Sequence, residues 1–143
     1  MINYMLEKRR AAGMLRSSDY IIKSFVSTDM ADAIARHYGV HSYTVLTGFR
    51  FISELITKYE HADADFIFGF EESFGFLAGT FARDKDGVLA ALLLCKAAEY
   101  YRTSGHRLLD VLETLYETHF RELAPMRMAS RRILTFRQPT PSN

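Results

Sequence analysis

Phe66-Ile67-Phe68-Gly69-Phe70-Glu71-Glu72-Ser73-Phe74-Gly75-Phe76 is the stretch on which the fold turns. Aromatic and β-branched residues flank the polar tip Glu71-Glu72-Ser73, so the segment reads as two strands, Asp65 to Phe70 and Phe74 to Phe81. A tip this short cannot carry a crossover, and the two strands must therefore pair antiparallel. The tip gathers two carboxylates and a hydroxyl on rigid flanks. Carboxylates accept hydrogen bonds and a serine hydroxyl both donates and accepts, which suits a ligand rich in hydroxyl groups, such as a sugar. A solvated, charged hairpin tip is the alternative reading of the same residues.

Upstream, the pattern is different. Ile2 to Ala12 reads as a short helix stopped by Gly13, followed by a polar joint through Arg16, Ser17, Ser18 and Asp19, so residues 1–19 read as a lead-in helix and linker. Tyr20 to Val26 has strand composition, and Ser27, Thr28 and Asp29 offer N-caps to a helix from Met30 to Tyr38 that Gly39 ends. Val40 to Leu46 reads as a second strand. Thr47-Gly48 leads into a helix with Ile52, Leu55, Ile56 and Tyr59 at helical spacing. Alternation of this kind argues for parallel strands joined by right-handed crossovers.

Downstream, Arg83-Asp84-Lys85-Asp86-Gly87 reads as a charged turn, with Asp86 the N-cap of a long helix to about Ser104 that Gly105 closes. Val88, Leu89, Leu92, Leu93, Cys95 and Ala98 make a broad apolar face expected to lie flat on the sheet, with Cys95 a small buried residue. A last helix, Leu108 to about Phe120, repeats the spacing with Val111, Leu112, Leu115 and Tyr116. The expected order is βαβαββα: an α/β fold of three layers, α/β/α, on a mixed four-stranded sheet with one antiparallel strand.

The 143 residues fit one domain, and 48% apolar with 24% charged residues is ordinary for a globular protein with a real core. A formal net charge of +1 gives no general attraction to nucleic acid or to an acidic membrane, so neither is expected as a partner. The single cysteine, Cys95, excludes an internal disulfide and a multi-cysteine zinc site, which makes a reducing cytoplasm the default compartment. Neither a signal peptide nor a membrane-spanning run is visible. His37 and His41 have zincin-like spacing, but Gly39 interrupts the helix between them and no Glu follows His37.

Three motifs in order, Thr47-Gly48-Phe49-Arg50, Gly69-Phe70-Glu71-Glu72-Ser73-Phe74-Gly75 and Arg83-Asp84-Lys85-Asp86-Gly87, resemble the third domain of the α-D-phosphohexomutases, the family of phosphoglucomutase and phosphomannomutase. The resemblance runs from about Asn3 to about Phe120, so residues 20–120 are read as the domain itself. It implies a four-domain parent around a cleft, with a third domain built on a mixed four-stranded sheet. It also implies that Glu71 and Ser73 contact adjacent ring hydroxyls of a hexose phosphate while Glu72 points elsewhere. Thr47 and Gly48 would add substrate contacts where a helix begins, a place that favours anions and polar groups. Arg50 either adds charge towards the phosphate or is a solvated helix-face arginine; Lys85 either faces the cleft or is a surface lysine.

The family's reaction interconverts hexose 1-phosphate and hexose 6-phosphate through a phosphoserine and a bisphosphate intermediate, with Mg²⁺ stabilising the transferring charge. A glucose 1,6-bisphosphate-type activator is implied as well. The phosphoserine motif, resembling Ser-His-Asn-Pro, and the metal loop, resembling Asp-Gly-Asp-x-Asp-Arg, are both absent from the sequence. His61-Ala62-Asp63-Ala64-Asp65 lacks the glycine and the Asp-Arg end, and reads as a loop entering a strand. No catalytic residue and no metal ligand is therefore expected here; the metal would bind outside this chain. The chain is expected to contact sugar as part of such an enzyme, beside three further domains, without moving phosphate alone. The alternative is a stand-alone sugar-phosphate-binding or interaction module. Residues 121–143 form a basic tail with Arg121, Arg127, Arg131, Arg132 and Arg137 against Glu122 that departs from the family pattern; it reads as divergent linker, non-native sequence or a shifted reading frame, and as disordered at its end.

Overall fold

The computed structural model describes residues 1–119; Phe120 and the basic tail read at 121–143 lie outside the described residues. The order is α1 (Ile2–Ala11), β1 (Tyr20–Ser24), α2 (Met30–Tyr38), β2 (His41–Val45), α3 (Phe49–Lys58), β3 (Phe66–Glu71), β4 (Gly75–Leu77) and α4 (Gly87–Thr103). A further helix, α5, occupies 108–119. The four strands form one sheet in the order β2-β1-β3-β4, parallel throughout except for the antiparallel β3–β4 pair. The expected three-layer α/β/α fold with a mixed sheet is the observed one.

Two cores sandwich the sheet. On one face Ile21, Ile67 and Phe68 pack with Leu6 of α1 and Met30, Ile34 and Ala35 of α2, joined by Leu89 and Leu93 of α4 and Leu115 of α5. On the other face Tyr20, Ile22 and Phe66 pack against Phe49, Ile52 and Ile56 of α3. Helices α2 and α3 lie on opposite faces, as crossovers of one hand require when the first runs from β1 out to β2 and the second returns past β1 to β3. The first helix belongs to this packing, since Leu6 is fully buried.

A bulge sets which residues of β3 face which layer. Tyr20 pairs with Phe66 and Ile21 with Phe68, so Ile67 is the extra residue. Phe66 consequently faces α3, whereas Phe68 and Phe70 face the α1/α2 side. Gly69 then meets α3 so closely that a Cβ there would stand 2.8 Å from Ile52 Cγ2.

Three local expectations need correction. The strand read at Phe74 to Phe81 is only Gly75–Leu77; Gly79, at φ +76°, turns the chain away, and the backbone N–H of Asp86 takes the Phe76 carbonyl at 2.7 Å. The hairpin tip is shifted by one residue: Glu71 is the last residue of β3, paired with Gly75, and the turn is Glu72-Ser73-Phe74. Helix α4 begins as read, with the Asp86 carboxylate accepting the Leu89 N–H at 2.8 Å. It is nevertheless rotated from the expected face. Ala90, Ala97 and Tyr101 are buried, Val88 and Leu92 are exposed, and Cys95 is exposed rather than buried. A helix apolar on most sides gives periodicity little to choose from, and α1 settles the matter by drawing Tyr101 in through Glu7 and Asn3.

Candidate functional site

The carboxyl ends of β1 and β3 meet where the chain order reverses, and in open α/β sheets this crevice is where ligands bind. Glu71 ends β3 there. Its side chain faces α3 and is 3% exposed, so its carboxylate needs partners. One oxygen, Oε2, accepts the backbone N–H of Gly48 at 3.1 Å, immediately before the first turn of α3. The other, Oε1, lies 2.5 Å from Lys85 Nζ. The two oxygens thus draw on a helix N-terminus and an ammonium, both electropositive.

Gly75 makes room for this. It sits opposite Glu71 in the hairpin, and a Cβ there would stand 2.3 Å from Glu71 Cγ and 2.8 Å from Oε1. Lys85 also donates to the backbone carbonyl of Ser73 at 3.1 Å, so the same ammonium ties the charged turn to the hairpin tip. The structure therefore brings together Gly48, Glu71, Ser73 and Lys85. The Ser73 side chain is exposed at the tip, and Thr47 is exposed beside Gly48.

Arg50 is placed differently. Its guanidinium lies 4.4 Å from the Phe51 ring centroid and lines a groove of about 570 Å³ with Ser53, Glu54, Thr57, Arg83 and Asp84. Asp63 and Asp65 do not form a metal site: both pair with Arg16, and Asp65 also takes Arg9 at 3.0 Å. Among the described residues no group of three or more His, Cys, Asp or Glu side chains is placed to hold a metal ion. Nor is any helix among them long and apolar enough to cross a membrane.

Several residues beneath the tip lie outside the three motifs. Ser24, fully buried at the end of β1, donates to Glu72 Oε2 at 2.8 Å. The backbone N–H of Glu72 itself, the Ser24 hydroxyl and nearby Lys85 hold the Glu72 carboxyl below the ordinary carboxylate range, against a smaller opposing effect of desolvation. Lys23, 2% exposed in β1, is held by Asp32 at 2.9 Å and Asp29 at 3.1 Å. Burial alone would lower its pKa, but the bonds and charges of Asp32 and Asp29 outweigh that and leave it raised. A lone lysine in Tyr20-Ile21-Ile22-Lys23-Ser24, followed by two aspartates, is the sequence signal for this lock between β1 and α2.

Comparison with known proteins fits this arrangement. A family model described as phosphoglucomutase/phosphomannomutase, alpha/beta/alpha domain III, matches residues 1–119. The phosphoglucomutases of Staphylococcus aureus strains bovine RF122 / ET3-1 and USA300 are each 37% identical to the chain over 118 residues, which is 82% of this chain and 20% of theirs. The chain thus spans about a fifth of the length of these relatives. Among solved structures, one described as a putative phosphomannomutase from Thermus thermophilus superposes with a TM-score of 0.60 at 23% identity, over 81% of this chain and 24% of that one, a likeness of fold. With three motifs converging on one crevice of an α/β/α domain, the chain belongs to the phosphoglucomutase/phosphomannomutase family, as its domain III.

Proposed function

We propose that this domain supplies the sugar-contacting wall of a hexose phosphate mutase, with Glu71 and Ser73 reading adjacent ring hydroxyls. The buried Glu71 carboxylate carries the reading, held between the Gly48 N–H and the Lys85 ammonium at the carboxyl ends of the parallel strands. A carboxylate has about four acceptor sites, so Glu71 retains capacity for hydroxyl donors beside the two partners it already has. A wrong epimer would leave one such group unpaired, at about 1–3 kcal/mol. Lys85 neutralises the carboxylate and presents charge to a phosphate; Thr47 and Gly48 offer the N-terminal end of α3, and Arg50 would add its charge from the neighbouring groove, where Arg83 is already paired with Glu60 and Glu54 and Asp84 are the acidic lining.

In this reading the chemistry itself lies in other domains of a four-domain parent, where a phosphoserine and Mg²⁺ would move the phosphoryl group with a glucose 1,6-bisphosphate-type activator, in the cytoplasm. The isolated chain is inactive. Phe25 and Leu46, exposed at the ends of β1 and β2 and lining a groove of about 490 Å³ with Phe51 and Leu55, would face the remainder of that parent together with the exposed Val26.

The test is titration of the ¹⁵N-labelled chain with glucose 1-phosphate and mannose 1-phosphate, following backbone amides. Shifts concentrated at residues 47–50, 71–75 and 85, and weakened in Glu71→Gln, are expected. A folded chain silent to millimolar ligand, or one that responds elsewhere, would remove this assignment.

A further inference from the structure

Two observations at the hairpin tip are not explained by Glu71, Ser73 and Lys85. The first is strain. Phe74 has φ 54° and is 89% exposed, so a bulky residue adopts the left-handed region with no burial to hold it there. Such a conformation persists only where the surroundings over-determine it. The second is the bond from Ser24 to Glu72, which crosses from the end of β1 to the turn.

We propose that Glu72 is a positioning residue whose bond to Ser24 fixes the 72–74 turn, and with it the Ser73 hydroxyl, in the geometry that receives a sugar. The proposal rests on the sugar-contacting reading of the same site.

The hydrogen bonds leave little freedom in direction. A carboxylate has no proton to give, so the Ser24 hydroxyl donates to Glu72 Oε2 at 2.8 Å. Ser24 has then spent its only proton, and the 2.7 Å contact between Ser24 and Ser27 must run from the Ser27 hydroxyl to Ser24 Oγ. Each donor orients the next, and the chain ends on the acceptor at the tip. Ser24 is fully buried and its neighbour Lys23 is locked to Asp29 and Asp32, so the anchor is rigid. The tip is thus held at two points: Glu72 by Ser24 on the β1 side, and the Ser73 carbonyl by Lys85 on the α4 side. With one hold removed, the strained Phe74 can relax and carry the adjacent Ser73 with it.

The measurement is ¹⁵N relaxation on the full 143-residue chain, wild type against Glu72→Ala, Glu72→Gln and Ser24→Ala, followed by glucose 1-phosphate titration. Wild-type amides of Ser73 and Phe74 should show order parameters near about 0.85, falling below about 0.6 in Glu72→Ala and Ser24→Ala. Glu72→Gln keeps an acceptor oxygen for Ser24 and should stay ordered. The dissociation constant for glucose 1-phosphate should rise about fivefold in Glu72→Ala, the loss of one net hydrogen bond, and less than about twofold in Glu72→Gln. Order that survives in Glu72→Ala, or equal loss in Glu72→Gln, overturns the proposal. If the wild type binds no sugar phosphate, the sugar-contacting reading fails on its own, and the relaxation data still uphold or overturn the tether.

Discussion

Gly75→Ala tests the geometry around Glu71 most directly. Gly75 does not adopt a positive φ, so alanine meets no backbone penalty, and any cost must come from the new methyl group. That methyl would sit 2.3 Å from Glu71 Cγ, 2.8 Å from Oε1 and 3.0 Å from Cδ, in the space that the outer half of the side chain occupies. Glu71 must therefore swing away, giving up the Gly48 N–H and the Lys85 ammonium. Overpacking of this kind costs about 1–3 kcal/mol, and loss of a hydrogen bond to a charged group about 1.5–3 kcal/mol. Lower unfolded-chain entropy returns about 0.4–1 kcal/mol, and the half-exposed Lys85 limits what its pairing contributes. The net expectation is about 2–4 kcal/mol of destabilisation, a drop of about 1–2 M in the urea midpoint for a slope near 2 kcal/mol/M. Because the clash is with Glu71 itself, Glu71→Ala combined with Gly75→Ala should cost clearly less than the sum of the single changes. Additive costs, or a Gly75→Ala midpoint within about 0.2 M of wild type, would refute the steric argument.

Other outcomes follow from the same coordinates. Lys23→Ala should destabilise by about 3 kcal/mol, because it leaves Asp29 and Asp32 without their cation and opens a cavity, whereas the volume-matched Lys23→Met should cost less; chemical denaturation at neutral pH separates them. The raised Lys23 pKa gives a stability term fully present below the lysine value of an unfolded chain and lost as pH rises through the folded value, so alkaline unfolding should come at lower pH in wild type than its neutral-pH lead over Lys23→Met implies. Asp110, held down to about 2 by the Arg107 side chain and backbone N–H, should titrate near that pH by ¹³C NMR, and Arg107→Ala should move its midpoint up towards about 3.9. Its folded pKa is depressed, so its support for the first turn of α5 is present above the unfolded value and disappears as pH falls towards about 2. Cys95 should react with a thiol reagent in the native chain at nearly its denatured rate; strong native protection would contradict the exposed placement.

Much of the fold is legible from local chemistry. Gly39 closes α2 in the left-handed region as a helix-ending glycine should, Asp86 caps α4 through its own carboxylate, and the short polar tip forces the antiparallel pair. These are decisions made within a turn or two of chain, so neighbouring side chains in the sequence suffice to read them. The reach of Thr47-Gly48, Glu71, Ser73 and Lys85 towards one place was visible only through resemblance of the three motifs, since the residues come from separate segments.

The orientation of α4 was not legible in the same way. Val88, Leu89, Leu92, Leu93 and Leu94 offer apolar surface on nearly every side, and the choice of Ala90, Ala97 and Tyr101 as the buried stripe depends on α1, at the opposite end of the described chain. Likewise nothing local to Ser24 or Glu72 announces that a buried serine of β1 will reach the turn after β3.

Sequence by itself determined the order of elements, the mixed sheet and the residue types at its loops, because period, caps and turn chemistry are short-range. Tertiary structure decided where Glu71 points. Strict alternation would put Phe66, Phe68 and Phe70 on one face and Glu71 on the other. The bulge at Ile67 instead splits Phe66 from Phe68 and Phe70, and turns Gly69 and Glu71 towards α3 and the N–H of Gly48. One extra residue in a strand inverts every side chain beyond it, and whether it is accommodated depends on the partner strand and the helix packed above, which no local pattern records.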